Sequence, residues 1–199
     1  MRRHGGFTIV EVTMAIVVIA ILATISIMSY HGIRERAEAS VIITHVKQYV
    51  NILELYIIKN GRAPRANWRC LGDATTLPAG NGYEENFCFK PASNHDGSNP
   101  GTTAPADPAL MAELRRVQGG LPTSTFPEVN GCVTNRAFRG IFYDSGTNNF
   151  PGYPATISYC TKLSTCPIGD RVAWWTGVNS NISACAYQLS RNELGQPRP

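Results

Sequence analysis

The first 63 residues contain no proline, and no glycine stands between Gly6 and Gly32. Nothing in that stretch would stop a helix, because proline and glycine are the residues that interrupt one. No cysteine precedes Cys70 and no C-x-x-C pair occurs, while His4, His31, His45 and His95 are not at ligand spacing from the cysteines or from one another. A zinc-type centre has no footing in such a pattern. Runs of lysine or arginine are also missing from a chain of net charge +4, so support for a nucleic-acid partner is weak. There is no nucleophile elbow, no Gly-rich phosphate loop and no calcium-loop spacing of carboxylates. The chain therefore reads as a non-enzyme with no cofactor.

What is present is concentrated at the start. Arg2 and Arg3 are followed by Gly5-Gly6, then by Phe7-Thr8-Ile9-Val10-Glu11 and an apolar run to Tyr30. Roughly 20 apolar residues suffice to cross a bilayer. Glu11 is the one carboxylate in this segment. A charge at the helix centre costs about 2.5–3.5 kcal/mol on insertion scales and less toward an end, so such a group either snorkels at the interface or has a function. An ordinary secretory signal has an apolar core of about 7–15 residues and a small-residue cleavage site, which this longer, glutamate-interrupted run does not match. A plain signal-anchor accounts for the length and the arginines, but leaves Gly6 and Glu11 without a role.

In fixed order, the arginines, Gly6, Phe7 and a glutamate at the fifth position counted from Phe7, followed by the apolar helix, resemble the class III leader and N-terminus of type IV pilins and pseudopilins. The resemblance covers about the first 30 residues. It implies cleavage after Gly6 by a prepilin peptidase, methylation of the new Phe7 amine by the same type of enzyme, and an assembly role for Glu11 against the N-terminal ammonium of a neighbouring subunit. It also implies a pilin-like α+β fold in which the long helix packs on an antiparallel sheet. Type IV pilins often carry a proline in the membrane half of the helix; this chain has none there, so whether the helix melts in a filament stays open.

Six cysteines, Cys70, Cys88, Cys132, Cys160, Cys166 and Cys185, all follow the apolar segment. An even count confined to the exported part points to disulfides formed in an oxidising compartment. Six cysteines allow fifteen pairings. Nearest-neighbour closure puts Cys70 with Cys88 first, and for the other four the sequence offers Cys132 with Cys160 and Cys166 with Cys185 as no more than a guess.

The pattern predicts one helix from about Phe7 to Lys59, stopped by Asn60-Gly61 and Pro64. Ile42, Val46, Tyr49, Val50, Leu53, Tyr56 and Ile57 make a core-facing stripe, with Arg34, Glu35, Arg36, Glu38 and Lys47 on the wet side. Such a helix would be about 80 Å long and would project from a membrane. Residues 62–139 are rich in Gly, Pro, Asn and Ala, with an exposed loop over 92–105 and one short helix capped by Asp107, begun by Pro108, faced by Leu110, Leu114 and Val117 and ended by Gly119-Gly120. Strand chemistry follows at 140–144, 155–160, 171–176 and 184–189. The expected organisation is a leader (1–6), a transmembrane or filament-core helix (7–30), its amphipathic continuation (31–60) and an exported head (61–199).

Trp174-Trp175 with Tyr143, Tyr153, Tyr159 and Tyr187 suggest a stacking surface for sugar or nucleic acid, against the plainer reading of strand packing. Asn181-Ile182-Ser183 matches a glycosylation acceptor, a weak three-residue pattern. The expected function is a structural subunit of a type IV pilus-like filament. It would sit single-pass in the cytoplasmic membrane with its N-terminus cytoplasmic, then be taken up by an assembly platform into a homo-oligomeric filament at the cell surface. A minor pilin, a type II secretion pseudopilin, and a monomeric membrane-anchored binder of DNA or surface glycan are the alternatives.

Overall fold

The computed structural model describes residues 8–66, 68–88, 105–118, 120–123, 125–133, 136–146, 154–171, 182–192, 194–195 and 197. Helix α1 runs Ile9–Asn60 and helix α2 Pro108–Gln118. Among the described residues there are seven strands: β1 Arg69–Leu71, β2 Glu128–Val133, β3 Arg136–Arg139, β4 Ile141–Asp144, β5 Thr156–Thr161, β6 Asp170–Arg171 and β7 Ser183–Gln188. The chain divides into two units, residues 1–37 and residues 38–199.

In the second unit α1 presents the stripe its periodicity predicts. Ile42, Val46, Tyr49, Leu53 and Ile57 are buried, joined by Ile52 and His45, while Val50 and Tyr56 are partly buried. These residues form one hydrophobic core with Leu71, Leu114, Phe138, Ile141, Tyr143, Ile157 and Tyr159. The fold is thus α+β, a long helix packed with an antiparallel sheet. Glu38 departs from the wet side expected of it: its carboxylate is partly buried and accepts from Lys162 Nζ at 2.6 Å. The helix ends where Gly61 enters the left-handed region (φ +74°) and its N–H returns to the Ile57 carbonyl at 2.7 Å. Glycine adopts that conformation without the steric cost a Cβ would bring.

The main sheet has the order β1-β4-β5-β7-β6, with every neighbouring pair antiparallel. Opposed residues include Cys70 and Phe142, Ile141 and Tyr159, and Tyr159 and Cys185. β2 and β3 form a separate hairpin. Three strands, β1 to β3, lie in the stretch expected to hold one short helix and no strand, which corrects that reading. β1 is three residues long, too short for alternation to register, and β2 contains Asn130-Gly131 and a register shift between Asn130 and Val133. The strand expected at 171–176 begins instead as Asp170–Arg171, and residues 172–176 lie outside the described residues. Gly169 leads into it at φ +74°, where a Cβ would stand 2.1 Å from the Ala186 carbonyl oxygen. Helix α2 forms as its caps predict, with the Asp107 carboxylate accepting from Ala109 N–H at 2.8 Å and Pro108 in first place. The expected loop at 92–105 lies outside the described residues except for Pro105.

Candidate assembly site

The start of α1 is a reciprocal cap. Thr8 precedes the first helical residue and accepts the Glu11 N–H on its hydroxyl at 3.2 Å. In return the Glu11 carboxylate accepts from the Thr8 N–H and the Thr8 hydroxyl, each at 3.0 Å. A helix start leaves four backbone N–H groups without intrahelical partners, and this T-x-x-E arrangement satisfies two of them while placing a negative charge at the positive end of the dipole. Thr8 is a participant the sequence reading passed over. The signal is present in the sequence, since Thr8-x-x-Glu11 is the capping-box spacing.

Beyond the cap the helix presents apolar side chains outward. Ile9, Val10, Met14, Ile16, Ile19, Leu22 and Ile25 are each more than half exposed. The helix is long and apolar enough to cross a membrane, and its most apolar window is wholly unburied. At the known cost of exposing such side chains to water, about 25 cal/mol per Å² of apolar area, this surface calls for lipid or protein around it. Its hydroxyls are kept from opposing that environment: Thr13, Thr24 and Ser26 each donate to a backbone carbonyl three or four residues earlier. Gly6 and Phe7, where the sequence leads one to expect processing, lie outside the described residues.

In the head the six cysteines form three bonds, Cys70–Cys88, Cys132–Cys160 and Cys166–Cys185. The first closes the loop after β1, the second ties the β2–β3 hairpin to β5 of the main sheet, and the third holds the segment before β6 against β7. Of the aromatic residues offered as a stacking surface, Tyr143 and Tyr159 are buried and spend their hydroxyls on the Pro64 and Ile168 carbonyls, at 2.7 and 2.8 Å. Burial pushes the Tyr159 phenol up to about 12. These two are core residues. Trp174, Trp175, Tyr153 and Asn181 lie outside the described residues. Among the described residues no group of three or more His, Cys, Asp or Glu is placed to hold a metal ion.

Residues 1–27 match the family model described as the prokaryotic N-terminal methylation motif. The type II secretion system core protein G of Aeromonas hydrophila is 26% identical over 102 residues, covering 50% of this chain and 71% of that protein. The core protein G of Escherichia coli K12 is 30% identical over 78 residues, 38% of this chain and 54% of that one. The type IV wide pilus major component PilA4 of Thermus thermophilus is 37% identical over 60 residues, 30% of this chain and 46% of that one. No solved structure matches the chain significantly.

Proposed function

The chain carries the N-terminus of the type IV pilin and pseudopilin family, and on that premise we propose that it is a structural filament subunit made as a membrane-anchored precursor. The observation that carries the reading is the exposed apolar half of α1, opened by a carboxylate at its first turn and overlapped by the methylation motif of residues 1–27. Arg2 and Arg3 hold the leader on the cytoplasmic face. A peptidase cleaves after Gly6, whose lack of a side chain allows close approach to the backbone, and the Phe7 amine is methylated. The apolar segment then leaves lipid for a filament core. Both surroundings are apolar, so packing between helices drives the transfer.

Glu11 gives that transfer a register. Near the membrane interface the carboxylate keeps some water, whereas inside a filament it loses water and needs a positive partner. The ammonium created on Phe7 of a neighbouring subunit supplies one. The head, crosslinked three times, stays outside as the filament surface. A second reading places the same subunit in a type II secretion pseudopilus, which is supported by the similarity to the core protein G of Aeromonas hydrophila over half of this chain.

Mass spectrometry of the mature protein tests the reading. An N-terminus at methylated Phe7, with Gly6→Val accumulating as full-length membrane precursor, is the expected result. A mature chain beginning near Tyr30 would mean an ordinary secretory signal and would end the filament argument. A filament lost together with the secretion channel, rather than with a surface pilus, decides for the pseudopilus.

A further inference from the structure

Arg139, the last residue of β3, has its side chain turned under the 78–87 loop and is 8% exposed. Its Nη2 donates to the carbonyls of Pro78 at 2.6 Å and Glu84 at 3.3 Å, and its Nε to the carbonyl of Phe87 at 3.2 Å. The guanidinium carbon also lies 4.1 Å from the centre of the Tyr83 ring. Its own N–H reaches the Cys88 carbonyl at 2.9 Å. Across the hairpin, Glu128 is its register partner and places a carboxylate whose charge acts on both Arg139 and Tyr83.

The loop itself is costly to shape. Asn81 and Asn86 stand in the left-handed region at φ +52° and +67°, which costs less for asparagine than for other side-chain-bearing residues but more than the right-handed region. The backbone bonds that hold it are Gly80 with Tyr83 in both directions, Phe87 N–H to Glu84 at 3.3 Å and Asn86 N–H to Leu77, with one anchor from farther along the chain, Ala106 N–H to the Asn86 carbonyl at 2.8 Å. Cys70–Cys88 joins the ends of an 18-residue interval and says nothing about the path between them. Three carbonyls at positions 78, 84 and 87 converge on one point, and carbonyl oxygens gathered this closely repel unless a cation or donors sit among them.

We propose that Arg139 acts as a built-in cation around which the 78–87 loop folds, making this loop a unit of the surface that can be released without unfolding the sheet. The planar guanidinium has five donors in a fixed fork and can serve three carbonyls and a ring face together, where a lysine ammonium is a single point on a flexible stem. Released or held, the loop alters the exposed surface formed by Ala79, Asn81, Gly82, Glu84 and Glu85. The inference does not rest on the filament reading.

Amide hydrogen exchange on the oxidised head tests it, comparing wild type, Arg139→Ala and Arg139→Lys. The amides of Gly80, Tyr83 and Asn86 should exchange at least about tenfold faster in Arg139→Ala, while the paired amides of β4 and β5 keep their wild-type rates, as local opening requires. Millimolar methylguanidinium should slow the loop amides again in Arg139→Ala and leave wild type unchanged. Unaltered loop exchange in Arg139→Ala, or no response to methylguanidinium in the folded variant, overturns the proposal. Should Arg139→Ala fail to fold, Arg139→Lys decides: fast loop exchange over an intact sheet supports the clamp, and wild-type loop exchange or loss of sheet protection refutes it.

Discussion

The Glu11 carboxylate is held by its near neighbour Thr8, whose N–H and hydroxyl both donate to the same oxygen at 3.0 Å. The residue read as an assembly contact is therefore also a helix cap, and substitutions can separate the two roles. Glu11→Gln retains an acceptor for the cap but no charge. Glu11→Ala removes both, and Thr8→Val removes the reciprocal cap while leaving the charge. On the filament reading Glu11→Gln and Glu11→Ala should both insert and be processed at Phe7 yet incorporate poorly, with Glu11→Asp intermediate because its arm is shorter. Thr8→Val should cost about 0.5–2 kcal/mol of helix-start stability, the usual range for a lost cap. The ratio of sheared-filament to membrane-retained subunit, without wild-type subunit present, is the measurement, and normal incorporation of Glu11→Gln would remove the charge from the argument.

Each crosslink should stabilise the part of the head it ties down. Removing a native disulfide from a small exported domain costs about 2–5 kcal/mol. Thiol labelling of the native oxidised protein should find no reactive cysteine, since all six are bonded. Cys132→Ser should loosen the β2–β3 hairpin, which among the described residues shares no main-sheet ladder and is joined to β5 by that bond. Protease cutting confined to 120–140 in the variant, with the remaining fragments folded, is the expected pattern.

Packing predicts a contrast between two leucines of the same helix. Leu53 is fully buried in the core, whereas Leu22 is 59% exposed. Leu53→Ala should lower head stability by about 2–5 kcal/mol, the loss of transfer energy plus the cavity left behind. Leu22→Ala should leave the head's denaturation midpoint unchanged, because this side chain is not part of the buried core. Denaturant unfolding followed by tyrosine fluorescence separates the two.

Acid should weaken the head through His45. This histidine is buried on α1 with its ring edge-on to Phe126, centroids 4.6 Å apart, and burial lowers its pKa from the ordinary 6.5. The folded form therefore keeps a neutral ring where the unfolded chain would bind a proton. Stability from this group is intact above about 6.5 and is lost as pH falls below that value toward the lower folded pKa. Asp73 adds a second loss further down. Burial opposes its ionisation, but hydrogen bonds from Thr75 and Thr76 and the nearby Arg115 guanidinium hold it below the usual 3.8. Midpoints measured between pH 7 and 5 should fall in wild type and flatten in His45→Phe; an equal slope in the variant would assign the effect elsewhere.

By itself the sequence determined the features that depend on neighbours within a turn or two. The extent of α1, its core stripe from Ile42 to Ile57, its stop at Gly61 and the cap of α2 all follow from periodicity and end residues, because a helix closes its hydrogen bonds locally. The T-x-x-E cap at Thr8 and Glu11 was equally local. Tertiary structure decided what needs distant chain. β1 is three residues whose strand identity comes from pairing with β4, 70 or so positions away. Nearest-neighbour closure agrees with Cys70–Cys88, and the two pairings offered for the other four cysteines also agree, but the bonds exist because the fold brings those cysteines together: Cys132 and Cys160, for example, come from the hairpin and the main sheet. Glu38 looked like a surface charge until Lys162, 124 residues later, closed on it. Arg139 had no sequence mark at all, since its partners are backbone carbonyls, which every residue carries and only a folded loop can gather.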